Sequence, residues 1–189
     1  MEHFYNNKEF GENWFSYSQF YADMIKRLPD EATIIEVGCW KGRSTACLGV
    51  EIVNSEKGVS LICVDSWKYV PSTEQPVSSQ TEFDKVYEEF LKNTQVFKGF
   101  LSVIRQGSDS AADVFDNESI DFVFIDANHT YESVKADILA WLPKVKVGGI
   151  IAGHDYFTRV HPGVKEAVDE LLPDAIKHPE QNVWEFAKK

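Results

Sequence analysis

Five short runs rich in Val, Ile and Phe alternate with segments of helical hydrophobic period, and this alternation constrains the fold more than any other feature of the chain. The runs fall at residues 33–37 (TIIEV), 59–65 (VSLICVD), 101–105 (LSVIR), 120–126 (IDFVFID) and 149–153 (GIIAG). They mostly lack strict polar alternation, as do strands covered on both faces. Helical patterns lie between them. One covers 42–54. Another covers about 81–97, with Phe83, Val86, Tyr87, Phe90, Leu91 and Phe97 as its apolar stripe. A short helix is expected from Ser108, whose hydroxyl suits an N-cap. A further helix over 131–142 has Thr130 as cap and Pro143 as stop, and its Val134, Ile138, Trp141 stripe reads as core. Strand and helix in alternation imply right-handed βαβ units, a doubly wound parallel sheet with helices on both faces.

The two ends of the chain depart from this pattern. After a helix near 163–172 come two strand-like pieces, 175–178 and 183–187, joined by a turn over 179–182. Such a hairpin puts an antiparallel strand into the sheet. Before the first strand, Trp14, Phe15, Tyr17, Phe20, Tyr21, Met24 and Ile25 mark an aromatic-rich helical segment within about residues 1–30, lying across a sheet edge or over a site. Residues 66–80 (SWKYVPSTEQPVSSQ) read as a long loop, and a lid and a plain surface excursion are both open.

Composition narrows the classes of function. The chain of 189 residues, read as a single domain over 1–189, is long enough to bury a proper core. Its formal charge of −11 and the lack of basic clusters disfavour nucleic acid as a partner. Cys39, Cys47 and Cys63 form no CxxC pair, which suits a reducing compartment. The first residues lack a secretory signal pattern, and no apolar stretch reaches the roughly 20 residues needed to span a bilayer. The expectation is a cytoplasmic protein without a membrane partner.

The first chemical signal follows the first strand, in Glu36-Val37-Gly38-Cys39-Trp40-Lys41-Gly42-Arg43-Ser44. Glycine permits a sharp turn and close approach to a ligand, and the following helix offers free N–H groups. A dinucleotide fingerprint would need glycine at position 40, where this chain has Trp. Asp65, ending the second strand, falls at the same crevice. There it suits a ribose diol, or else caps a loop.

Glu36-x-Gly38-x-x-x-Gly42 followed by Asp65 resembles the cofactor site of class I S-adenosylmethionine-dependent methyltransferases, over almost the whole chain. The resemblance implies a Rossmann-like α/β sheet of seven strands in the order 3-2-1-4-5-7-6, with strand 7 antiparallel. It also implies contacts to S-adenosylmethionine from the loop residues Gly38, Trp40, Gly42 and Ser44. Glu36 would support the loop or the cofactor amine, Asp65 would hold the ribose hydroxyls, and Ser66 and Trp67 would flank the adenosine. Gly107 and Ser108, after the third strand, fall where that family places adenine contacts.

A second constellation ends the fourth and fifth strands: Asp126, with His129 three residues on, and His154-Asp155. Neighbouring strands finish side by side, so these groups should converge. Two carboxylates pressed together call for a shared proton or a cation. The segments resemble metal-assisted O-methyltransferases of the catechol and macrolide-sugar types. That resemblance implies Asp126 as both cofactor contact and metal ligand, Asp155 as the second metal carboxylate, and His129 as general base. His154 stands where those relatives supply an oxygen, and a mixed N/O set suits Mn²⁺, Fe²⁺ or Zn²⁺ as well as Mg²⁺. A metal-free site with His129 alone as base is open too.

The reaction implied is methyl transfer to a hydroxyl of a small molecule or sugar, with Asp126, His129 and Asp155 as the catalytic group. N- or carboxyl-methylation, a non-catalytic S-adenosylmethionine-binding subunit and a nicotinamide-dependent reductase are the alternatives. Trp40 counts against the last of these. A homodimer is open, with the N-terminal aromatic segment covering its own site or a neighbour's.

Overall fold

Alternate residues of the strands bury into two separate cores. In the computed structural model, which describes residues 1–70 and 76–189, strands β1 (Thr33–Val37), β2 (Ser60–Val64), β3 (Leu101–Ile104), β4 (Ile120–Ile125), β5 (Val145–Gly153), β6 (Ile176–His178) and β7 (Val183–Ala187) form one sheet. The helices are α1 (Ser18–Arg27), α2 (Arg43–Ser55), α3 (Gln80–Thr94), α4 (Ser108–Ala112), α5 (Tyr131–Trp141) and α6 (Pro162–Leu171). Strand order is β3-β2-β1-β4-β5-β7-β6. The first five strands run parallel, and β7 pairs antiparallel with both β5 and β6.

The period of two along each strand decides which layer a side chain joins. Ile34, Leu61, Phe122 and Phe124 face the core under α1, α2 and α3. Ile35, Val37, Val123 and Ile125 face the core under α4, α5 and α6. Both faces are covered, which explains strands that are apolar throughout rather than at every second position. The Val134, Ile138, Trp141 stripe of α5 is buried, and the Thr130 hydroxyl caps that helix by accepting from the Ser133 N–H.

Several expectations need adjustment. Ser108 is not an N-cap. Gly107 occupies that position without a side-chain bond, and the Ser108 hydroxyl instead accepts the Trp141 indole N–H at 2.8 Å. The strand expected over 149–153 begins earlier, at Val145. Lys146 and the pair Gly148-Gly149 interrupt its apolar pattern, and its pairing with β4 shifts register between Ile120 and Phe122. The aromatic segment is helical only from Ser18; residues 11–17 are not part of a helix. In the loop expected over 66–80, residues 71–75 lie outside the described residues, and Trp67 is a fully buried core side chain packed against Tyr87 and Phe90.

Candidate active site

All the chemistry singled out in the sequence hangs from the carboxyl ends of β1 to β5, around one cavity of about 970 Å³. Gly38, Trp40, Ser44, Asp65, Ser66, Gly107, Ser108, Asp126, His129, His154 and Asp155 all line it. Glu36, Gly42 and Trp67 stand behind the wall instead.

The glycine turn is fixed by crowding on the protein side. Gly38 has φ +86°, and a Cβ there would lie 2.1 Å from the Asp126 backbone oxygen. This closeness lets the end of β1 nestle against the end of β4. Gly42, at φ +83°, opens α2 where a Cβ would press on Thr94 and Phe90. Trp40, between them, takes the left-handed region at φ 49° without being glycine. Asp155 (φ 62°) does the same on the cavity lining, and Trp67 (φ 41°) behind it. Such conformations persist only where surrounding contacts over-determine them.

Asp65 supplies those contacts for the turn. Its Oδ2 accepts the Cys39 and Trp40 N–H groups, each at 3.0 Å, and its Oδ1 accepts the Trp67 N–H at 2.9 Å. The Trp67 indole N–H closes the ring of contacts by donating to the Trp40 carbonyl at 2.9 Å. Burial pushes the Asp65 carboxyl up, against the pull of these amides. Glu36 points into the α1–α3 layer, as its place in β1 requires. It is 1% exposed and accepts from the hydroxyls of Tyr21, at 3.0 Å, and Thr45. Burial raises its carboxyl too. Its side-chain partners therefore belong to α1 and α2.

The second constellation does converge. His129 Nε2 lies 3.1 Å from Asp155 Oδ2 and 3.6 Å from Asp126 Oδ1. His154 Nδ1 lies 3.4 Å from Asp155 Oδ1 and 3.8 Å from Asp126 Oδ1, while its Nε2 shares a hydrogen bond with Ser16 at 2.9 Å. Burial alone would lower the His129 imidazole, but Asp126 and Asp155 outweigh it and hold it up at about 10. The same opposition, led by Asp126 on the charge side, raises His154. Burial works to raise Asp155; His129, His154 and the Thr158 hydroxyl overcome it and hold that carboxyl well below the usual range. One donor atom each from Asp126, His154 and Asp155 lies within 4.8 Å of the others, a set of two carboxylates and an imidazole that fits a divalent cation.

Three supporting groups, Thr158, Asn182 and His161, escaped the sequence reading, and a fourth, Tyr17, was expected only as part of the aromatic segment over the site. The Tyr17 hydroxyl donates to Asp126 Oδ2 at 2.8 Å. Thr158 and Asn182 donate to Asp155 Oδ1 at 2.7 and 2.9 Å. The His161 ring, just before α6, stacks on His129 at 4.1 Å. Of the three that escaped, only His161 carried a signal, as an imidazole shortly after a strand end; Thr158 and Asn182 become visible only once the chain is folded.

A seven-stranded sheet in this order, with a glycine turn after β1 and acids at the ends of β2 and β4, is the architecture of class I methyltransferases. The chain belongs to the family described as "Methyltransferase domain", whose sequence profile matches residues 35–156. The uncharacterized protein y4gI of Sinorhizobium fredii is 25% identical over 128 residues, or 68% of this chain, while the chain spans 13% of that relative's length. Among solved structures, CalS11, a TDP-rhamnose 3'-O-methyltransferase in calicheamicin biosynthesis, is 16% identical with a TM-score of 0.62; the match covers 90% of this chain and 76% of that one. SAH-bound PaMTH1, a methyltransferase of Podospora anserina, is 15% identical with a TM-score of 0.66, over 91% and 77% of the two chains. At such identities these two likenesses are of fold. Among the described residues, no helix is long and apolar enough to cross a membrane.

Proposed function

We propose that this chain is an S-adenosylmethionine-dependent methyltransferase that methylates a hydroxyl oxygen of a small molecule or sugar. One observation carries the reading: the glycine turn with its Asp65 clasp, and the Asp126, His129, His154, Asp155 cluster, open into the same cavity. A sulfonium donor held along the turn would present its methyl group beside the cluster. As the new C–O bond forms, the C–S bond breaks and the hydroxyl proton must leave. His129, which lines the cavity, would take it. Backbone amides fix the Asp65 carboxylate on the cavity wall, where a ribose hydroxyl would donate to it.

Asp126 and Asp155 hold His129 in its charged form while they face it alone. A neutral imidazole, which a base requires, therefore calls for those carboxylates to be engaged elsewhere. Asp126, His154 and Asp155 would hold a divalent cation, which when bound lowers the pKa of a hydroxyl resting on it. The net negative charge of the chain favours a small acceptor over nucleic acid. The three cysteines are buried free thiols, which suits the cytoplasm.

The test joins calorimetry with a methyl-transfer assay against a panel of hydroxylated acceptors. His129→Ala should keep affinity for S-adenosylhomocysteine within a few-fold while turnover falls by about 10² or more. Unchanged turnover removes His129 as base and favours a carboxylate acceptor, which needs none. Chelation should depress turnover reversibly, and full activity in chelator removes the cation from the scheme. Absence of binding heat with either cofactor form overturns the whole reading.

A further inference from the structure

Two consecutive residues just before α1 hold two members of the acid–imidazole cluster. Tyr17 donates its hydroxyl to Asp126 Oδ2 at 2.8 Å, and the Ser16 oxygen lies 2.9 Å from His154 Nε2. A serine beside a helix start ordinarily caps it. Ser16 does not, because Tyr17 occupies the N-cap position of α1, and that cap carries no side-chain hydrogen bond. The Ser16 hydroxyl turns instead to the β6–β7 connection, where it donates to the Gln181 carbonyl oxygen at 3.3 Å. The Gln181 side chain in turn accepts the Phe20 N–H, which ties this connection to the first turn of α1.

These contacts decide which nitrogen of His154 keeps a proton. A hydroxyl has one proton and two lone pairs, and a carbonyl oxygen can only accept. The Ser16 proton is committed to Gln181, so the Ser16 oxygen accepts and His154 Nε2 is the donor. Nδ1, on the other side of a residue that is 8% exposed, faces Asp155 Oδ1 at 3.4 Å and Asp126 Oδ1 at 3.8 Å. Both distances are longer than an ordinary hydrogen bond. A hydrogen bond to the far nitrogen is what fixes the tautomer and ring orientation of a metal-ligating histidine. Resting on the divalent-cation part of the reading above, we propose that Ser16 is a positioning residue that keeps the His154 proton on Nε2 and offers Nδ1 to the metal, so that the site takes a first-row transition ion such as Mn²⁺ in preference to Mg²⁺. Mg²⁺ takes oxygen donors and water, whereas imidazole nitrogen suits the transition ions. Tyr17 acts in parallel, because by occupying Asp126 Oδ2 it leaves Oδ1 to face Nδ1.

The experiment adds Mn²⁺ or Mg²⁺ to the whole chain, reads affinity by calorimetry, and reads the ligand atoms by pulsed electron paramagnetic resonance of the bound Mn²⁺. The wild type should bind Mn²⁺ more tightly than Mg²⁺ and show the coupling of a directly bound imidazole nitrogen. His154→Asp, with an oxygen in place of that nitrogen, should lose the coupling and narrow the preference. Ser16→Ala should weaken Mn²⁺ binding by on the order of 10- to 100-fold and diminish the coupling. Ser16→Thr keeps the hydroxyl at an exposed position and should restore both. Any of four results overturns the proposal: no Mn²⁺ binding by the wild type, Mg²⁺ bound as tightly as Mn²⁺, a nitrogen coupling that is absent from the wild type or survives in His154→Asp, or an unchanged affinity and spectrum in Ser16→Ala. Calorimetry with S-adenosylhomocysteine on the same samples keeps the two readings apart. Cofactor binding in a protein that takes no Mn²⁺ leaves the methyl-donor reading standing while this proposal falls.

Discussion

Replacing Asp137 by Asn turns a cost of the empty protein into a measurable gain. The carboxyl's folded pKa of about 6 stands above its ordinary 3.8, chiefly because burial penalises the charged form. A raised carboxyl pKa means that the folded protein binds the extra proton more tightly than the unfolded chain. This group's contribution is therefore fully present below about pH 4, is lost as pH rises through 6, and stays lost above it. The rise corresponds to on the order of 3 kcal/mol at neutral pH, an upper figure for a group that borders a cavity. Asparagine keeps the shape and can still accept from Ser108, but it has no charge to desolvate. Urea unfolding of both proteins, without ligand, from pH 4 to pH 8 isolates the effect, because the other titrating groups cancel in the difference. The two should be nearly equal at pH 4, and Asp137→Asn should be more stable by about 1–3 kcal/mol at pH 7.5. A difference that is flat with pH, or that grows as pH falls, would refute the burial account of Asp137.

Gly38→Ala should destabilise the protein by on the order of 3 kcal/mol or more, since the added Cβ meets the Asp126 backbone oxygen at 2.1 Å and the backbone is left-handed; a thermal midpoint within about 2 °C of wild type contradicts this. Arg27→Ala strips the two-pronged partner, at 2.6 and 3.2 Å, from Glu185, which is 2% exposed and, among the described residues, keeps only His178 as a partner. The cost should be on the order of 2 kcal/mol at pH 7, larger than for an exposed pair but reduced by the half-exposed arginine. Burial raises the Glu185 carboxyl but Arg27 and His178 lower it further, so the pair's stability exists above the ordinary carboxylate range and disappears as pH falls below it. The gap between wild type and Arg27→Ala should accordingly narrow in urea titrations near pH 3.

How much of this could be read from the chain depended on whether a feature is local. The central strands announced themselves because both of their faces are buried, whereas the strand order came only with the resemblance to a known family. The upstream start of β5 was hidden because Lys146 and two glycines break its apolar run while its backbone still pairs with β4 at Val145. The convergence of Asp126 and Asp155 was legible from topology alone, as both follow the ends of adjacent parallel strands. Ser108 misled for a physical reason: a hydroxyl at a helix start can cap, but the buried indole of Trp141 in α5, 33 positions along the chain, competes for it. Asp137 gave no signal at all, because a single acid on an amphipathic helix looks solvated until its neighbours are known.

The place of β4 in the sheet also governs how the protein can assemble. Ile34 pairs with Phe122, so β1 waits for its inner neighbour until two other strands and three helices have been made. Such distant pairing slows folding, because the loop must close before any contact rewards it. The first half of the chain can form the β3-β2-β1 half-sheet with its glycine turn, yet Gly38 then has no β4 backbone to lean on. A nascent or truncated chain ending before residue 120 should hold no ligand pocket, and competence to bind should appear in one late step, when β4 slots in beside β1.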